Sequence, residues 1–353
     1  MFVHLGKSIP RHLLLSLDRQ LALFPNTPCV LILNNPLSIQ LPRQIRIEMY
    51  ATSRETESLF QEASKSMDHS FRRGFWKYTF ERLFALQQYH EKNPKAKLLH
   101  IESDVLLLPN FPWDKFLTYD SIAWLNVNAT HDVAALVYLP NLMATKSLCD
   151  FLRKELSKNP DTTDMHALLS FARNFPLNHR YLPSLNDSNA REATTDLLKE
   201  NIDSASHFDG FFDPLALGIW YFGQDPKNNY GISTRYIDQE HHFLSATEVH
   251  LAFKEGHLKD QLGNEWFSIH LHSKNLNLFG PTWEKWLTKY LDEAANQKNK
   301  HFFSLPALRV ALQDRPIKAH LWHGLAQIGW LRDIAKSPGI ALFLRMVKKL
   351  LRI

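Results

Sequence analysis

Apolar and polar positions fall into blocks that predict strands and helices in alternation. Phe2-Val3-His4-Leu5 predicts a short strand, Gly6 to Pro10 a loop, and His12 to Phe24 a helix with leucines at positions 13, 14, 17 and 21. Pro25-Asn26-Thr27-Pro28 breaks that helix, and Cys29-Val30-Leu31-Ile32-Leu33 follows as a nearly all-apolar strand. Strand, helix, apolar strand is the βαβ pattern of a parallel sheet covered on both faces. Ile45 to Tyr50 predicts a third strand, and Glu55 to Ser66 and Phe71 to Glu91 predict helices. The second of these helices has a broad apolar face of Phe75, Tyr78, Phe80, Leu83, Phe84, Leu86 and Tyr89, interrupted by Lys77, Glu81 and Arg82. Asn93-Pro94 stops it.

The next stretch, Lys97 to Pro109, organises the rest: an apolar run, the triplet Glu102-Ser103-Asp104, and a second apolar run. Carboxylates are too costly to leave unpaired in the apolar body of a strand, so Glu102 and Asp104 must meet solvent, a partner or a metal. Residues i and i+2 of an extended chain point the same way, so both could converge on a hard cation such as Mg2+ or Mn2+. In isolation the triplet also reads as the polar end of an ordinary strand. Its place after a helix, at the carboxyl end of a strand in an α/β pattern, is where ligands bind in open sheets.

Downstream, Ile122 to Asn126 and Val133 to Leu139 predict strands and Leu142 to Leu156 a helix. Thr162 or Thr163 caps the start of another helix, with Asp161 and Asp164 at its positive end. Leu185 to Glu200 reads as a loop with one short helix. The aromatic, acidic and glycine-bearing segment His207 to Pro226 reads as a wall for a polar ligand with apolar faces. Glu265 to Lys274 alternates as a strand, with Ser268, His270 and His272 on one face. After Pro281 the chain reads as helical to its end. The expected division is a domain over residues 1–280 and a helical extension over 281–353.

Composition narrows the class. Among 353 residues, 44% are hydrophobic and 22% charged, which suits a folded enzyme and not a disordered chain. A formal net charge of +5 fits a phosphate-bearing ligand or an anionic surface, and nucleic acid is the weaker choice because RNA-binding and zinc-finger signatures are missing. Cys29 and Cys149 give no disulfide framework. With neither a signal peptide nor a membrane-spanning stretch in the pattern, a cytoplasmic protein is expected. The basic tail from Ile340 to Ile353 adds peripheral membrane contact as an alternative to packing on the domain.

In sequence order, the βαβ start, the helix bearing Trp76-x-x-Thr79-x-x-Arg82-Leu83, the acid-x-acid triplet and the late His270-Leu271-His272-Ser273-Lys274 together resemble the GT-A glycosyltransferases. The resemblance implies an α/β fold, a Rossmann-type mixed sheet flanked by helices, that moves a sugar from a nucleotide-diphosphate sugar to a glycan or lipid-linked hydroxyl, as in polysaccharide biosynthesis. It implies that the triplet is the DxD motif and holds Mn2+ or Mg2+ on the diphosphate through Asp104 and, directly or through a water, through the longer side chain of Glu102. Ser103 lies in the same donor-binding motif. His272 resembles the third metal ligand of many members, with His270 as the alternative, and Lys274 and Arg82 resemble cations placed on the phosphates. A metal and a lysine would stabilise the charge that builds on the leaving diphosphate.

An inverting transferase needs a carboxylate base. Asp209 and Asp213 are the candidates, with Asp164 a third. A nucleotidyltransferase would also use paired acids and a metal, but it wants a glycine-rich phosphate loop, of which Leu5-Gly6-Lys7-Ser8 is a weak version. A carbohydrate-binding protein without turnover is the non-enzymatic reading.

Overall fold

A computed structural model describes residues 1–36, 40–63, 75–227, 232–236, 241–296 and 301–303. The five residues of Cys29–Leu33 are all buried, as a strand covered on both faces requires. This strand, β2, pairs in parallel with β1 (Phe2–His4), and α1 (Arg11–Leu23) makes the crossover, burying Leu13 and Leu17. β3 (Ile45–Met49) adds to the other edge of β2 in parallel. The expected βαβ start is present. Next come α2 (Arg54–Ala63) and α3 (Phe75–Lys92); the expected ends of these helices at residues 64–66 and 71–74 lie outside the described residues. α3 buries Phe80, Leu83, Phe84 and Leu86, which leaves Arg82 free to turn toward the sheet's carboxyl edge.

The stretch around the acidic triplet forms two strands. β4 (Leu98–Ile101) and β5 (Val105–Leu107) are separated by a turn in which the Val105 N–H donates to the Glu102 carbonyl at 3.1 Å. They belong to different sheets. Beyond α4 (Trp113–Leu117) come β6 (Ile122–Asn126) and β7 (Asp132–Leu139), then α5 (Leu142–Lys158) and α6 (Asp164–Asn174), whose cap is Thr163. With β8 (His179–Tyr181) they complete a sheet of order β4-β7-β6-β8. Met1 joins it to the first sheet, because its amine donates to the Leu99 carbonyl and its carbonyl accepts from the Ile101 N–H, both at 2.9 Å.

The second half differs more from expectation. α7 (Thr195–Phe208) is a full helix capped by Thr194, where a loop with one short helix was expected. β9 (Phe211–Phe212) and α8 (Ala216–Phe222) follow, then β10 (Ile232–Thr234), β11 (Ala252–Lys254), β12 (His257–Lys259) and β13 (Glu265–His270). β13 is the centre of a sheet in which β12, β5 and β9 all pair with it. Most aromatic rings of segment 207–226 pack inward instead of forming the expected ligand wall. Phe208, Phe211, Phe212 and Phe222 are buried in the hydrophobic cores, where large rings remove the most apolar surface from water.

After α9 (Trp283–Ala295) the chain is not helical throughout: β14 (His301–Phe303) pairs antiparallel with β10. The expected remainder of the extension, including the basic tail, lies outside the described residues. Among the described residues, no helix is long and apolar enough to cross a membrane. The result is a mixed α/β architecture of helices around several sheets, as expected from the sequence.

Candidate active site

Strand register builds the site. In the antiparallel β5–β13 pair, His270 stands opposite Val105, one residue from Asp104, and the Leu271 N–H donates to the Asp104 carbonyl at 2.7 Å. The pairing therefore brings two segments more than 160 residues apart in sequence to one point. Glu102, Asp104 and His270 each offer a ligand atom there, all within 4.8 Å of one another. The turn at 102–105 replaces the expected extended triplet, yet the two carboxylates still converge.

The carboxylates divide their oxygens. Glu102 Oε2 lies 3.6 Å and Asp104 Oδ1 lies 3.9 Å from His270 Nε2. Their other oxygens face cations: Arg82 Nη1 holds Glu102 Oε1, and Lys274 Nζ holds Asp104 Oδ2 at 2.9 Å. Arg82 also reaches Asp164 Oδ2 at 2.7 Å, and Lys274 reaches Asp225 Oδ2 at 3.3 Å. Burial by itself would raise the Asp104 pKa. Lys274, then the neighbouring His270 and His12, outweigh burial and hold it well below the usual carboxylate range. Burial would likewise lower Arg82, but Glu102 and Asp164 keep it firmly charged.

Hydrogen bonds settle the two histidine tautomers. His270 Nδ1 faces the Pro214 carbonyl at 3.1 Å and can only donate to it, so in the neutral ring the Nε2 lone pair faces the carboxylates. His272 Nδ1 accepts from the Asp225 N–H at 2.8 Å, so in the neutral ring the proton sits on Nε2. Burial, reinforced by Lys274, lowers the His272 pKa to about 3, which keeps that ring neutral. His272 lines the same cleft but is not part of the three-residue cluster.

The cleft holds about 360 Å³. Its polar wall contains Arg82, Glu102, Ser103, Asp104, Asp164, His270, His272 and Lys274, and its apolar wall Val3, Leu5, Trp76, Tyr78, Val133 and Met165. A charged end beside an apolar and aromatic wall suits a ligand with a polar part and a ring part.

No protein family matches the chain, and no curated protein matches it. Among solved structures, it is similar to glycosyltransferases. One is the PaToxG glycosyltransferase, at 10% identity over 50% of this chain and 67% of that one, with a TM-score of 0.33. Another is an active-site mutant of LgtC, at 13% identity over 58% and 84% of the two chains, with a TM-score of 0.37. A third is a glycosyltransferase involved in glycosylation of the major capsid of PBCV-1, at 14% identity over 52% and 82%, with a TM-score of 0.30. At such scores the chemistry of this site rests on its own residues.

The two expected base candidates lie elsewhere. Asp209 is the left-handed C-cap of α7 (φ 62°), exposed and 2.6 Å from Lys115 Nζ, on a separate groove shared with Asn186, Lys259 and Glu265. Asp213 is buried, and its two oxygens accept four backbone N–H groups, from Leu215, Leu217, Gly218 and His270. Those bonds fasten the start of α8 to the end of β13. Gly218 allows the approach, since a Cβ there would lie 1.7 Å from the His270 carbonyl oxygen. Burial raises the Asp213 pKa to about 6. Neither aspartate lines the cleft. Asp213 instead fixes the backbone of His270.

Three further residues belong to the site. Asp164 was considered as a base and is instead the second partner of Arg82. His12, from α1, hydrogen-bonds Ser103 Oγ through Nε2 at 3.1 Å, and burial lowers its pKa to about 4. Asp225 holds Lys274 and His272 together. An aspartate or histidine with no periodic partner in sequence gives no local signal for such roles.

Proposed function

We propose that this protein is a glycosyltransferase that uses a divalent metal and a nucleotide-diphosphate sugar. The observation that carries the reading is the cluster of Glu102, Asp104 and His270 on a cleft wall, flanked by Arg82 and Lys274. Two carboxylate oxygens and one imidazole nitrogen are a donor set for Mn2+ or Mg2+, with the oxygen-rich character favouring hard cations. The His270 tautomer supports its role as third ligand in place of His272, and the Pro214 carbonyl orients its ring from behind.

A bound cation would stabilise charge on the leaving diphosphate. Lys274 and Arg82 contribute fixed positive charge at the same end of the cleft. Asp213, through the His270 N–H and the Gly218 N–H, holds the strand end in place. The apolar wall of Val3, Leu5, Trp76 and Tyr78 excludes water from the ring-bearing part of the donor. The acids that line the cleft, Glu102, Asp104 and Asp164, are each tied to a cation, so the general base for the acceptor is left unassigned. Of the weak phosphate-loop sequence Leu5-Gly6-Lys7-Ser8, only Leu5 lines the cleft, as part of its apolar wall, and the glycine and lysine that would cradle a phosphate do not, which disfavours the nucleotidyltransferase reading.

The test is to incubate the protein with a panel of UDP- and GDP-sugars, with and without Mn2+, using a CMP-sugar as a monophosphate control. Mn2+-dependent binding and nucleotide release from at least one diphosphate donor is expected. Binding of free glycans with no affinity for any nucleotide sugar would overturn the reading.

A further inference from the structure

Lys274 is placed by more than the strand that ends before it. Its backbone is in the left-handed region (φ 52°), and its N–H donates to the Leu271 carbonyl at 2.8 Å, so a tight turn returns the side chain toward the triplet. The ammonium then lies between two carboxylates: Asp104, at 2.9 Å, and Asp225, at 3.3 Å. Asp225 is 2% exposed and comes from the loop after α8. Its other oxygen accepts from the Lys227 N–H at 2.9 Å, and its own N–H donates to His272 Nδ1. One residue thus anchors Lys274 and sets the His272 tautomer, without being one of the clustered metal-ligating side chains.

From this arrangement we infer that Asp225 is a positioning residue that parks Lys274 and lets it pass from Asp104 to an incoming diphosphate. The inference rests on the metal and diphosphate reading of the site and goes beyond it. The reason is electrostatic. A lysine paired with Asp104 alone would compete directly with a cation for that carboxylate's charge. Shared with Asp225, the same lysine has a second partner that keeps it in place when the cation takes up Asp104. It is then held beside the cation with its charge available to phosphate oxygens. Asp225 therefore favours cation binding through Lys274, and its effect depends on Lys274 being present.

A double-mutant cycle tests this, with Mn2+ as the probe and its free signal read by electron paramagnetic resonance. The proteins are the full chain, D225N, K274M and D225N/K274M, each checked by its melting temperature. K274M alone is expected to bind Mn2+ more tightly than wild type, because a competing cation is removed. D225N is expected to weaken Mn2+ binding about tenfold when Lys274 is present and no more than about threefold in the K274M background. A merely structural Asp225 would weaken binding by the same factor in both backgrounds, and that additivity would overturn the inference. Weaker Mn2+ binding by a folded K274M would also overturn it. If wild type binds no Mn2+ at all, the metal reading itself falls, an outcome distinct from an additive cycle.

Discussion

Arg82→Met is the perturbation whose consequence follows most closely from geometry. The guanidinium, 12% exposed in its side chain, bridges Glu102 and Asp164, and the Asp164 side chain is only 2% exposed. At the 2.7 Å separation from Asp164, the gross attraction is about 6 kcal/mol at an effective dielectric of about 20. Most of that is offset by desolvation in the intact protein, so the net worth of the pair is small. Removing one partner is different, because it leaves buried charge uncompensated and costs roughly 3–5 kcal/mol. Glu102, 18% exposed, can recover some hydration, so Asp164 carries most of the loss. A fall in melting temperature of roughly 4–8 °C is expected by calorimetry. Arg82→Met with Asp164→Asn should recover most of it, because the stranded charge is gone. A single variant that melts within about 1 °C of wild type, or a double variant no more stable than the single, would refute the reasoning.

Gly218→Ala sets a gain in helix propensity of about 1 kcal/mol against a Cβ placed 1.7 Å from the His270 carbonyl oxygen. The overlap wins, so the variant should be destabilised by at least about 1–3 kcal/mol in urea unfolding and should lose Mn2+ affinity as His270 shifts. Asp132 is fully buried, and burial raises its pKa from 3.8 to about 7 against the opposing donors Trp124, Asn126 and Tyr181. Between those values the folded protein holds a proton that the unfolded chain has released, so stability falls as pH rises through this window. From pH 5 to 8, wild type should lose about 2–3 kcal/mol more than Asp132→Asn, measured by urea unfolding. Equal pH slopes for the two proteins would contradict the assignment.

The parts of the site legible in sequence are those carried by local pattern. The triplet stood out because Glu102 and Asp104 interrupt apolar runs, and Arg82 because it breaks the buried face of a helix. The βαβ start was legible because Cys29 to Leu33 has no polar face. What depends on hydrogen bonds between distant segments was not legible. Alternation on a strand placed His270 and His272 on one face, but β13 ends at His270 and the chain turns, so the two rings meet different partners. Pro214 and Asp225 decide the tautomers, and they lie 56 and 47 residues away from the rings they contact. Asp213 was a candidate base because an inverting transferase needs a carboxylate, whereas its oxygens are used on four backbone N–H groups. The aromatics of 207–226 are core for the ordinary reason that large rings are worth most when buried.

The most direct test of the central claim is Mn2+ titration of wild type, Asp104→Asn, His270→Ala and His272→Ala, read by electron paramagnetic resonance. Wild type should bind one ion at the site, and the Asp104 and His270 variants should each lose on the order of 100-fold in affinity, while His272→Ala changes it by no more than about threefold. No Mn2+ binding by wild type, or a loss in His272→Ala with His270→Ala unaffected, would contradict the account.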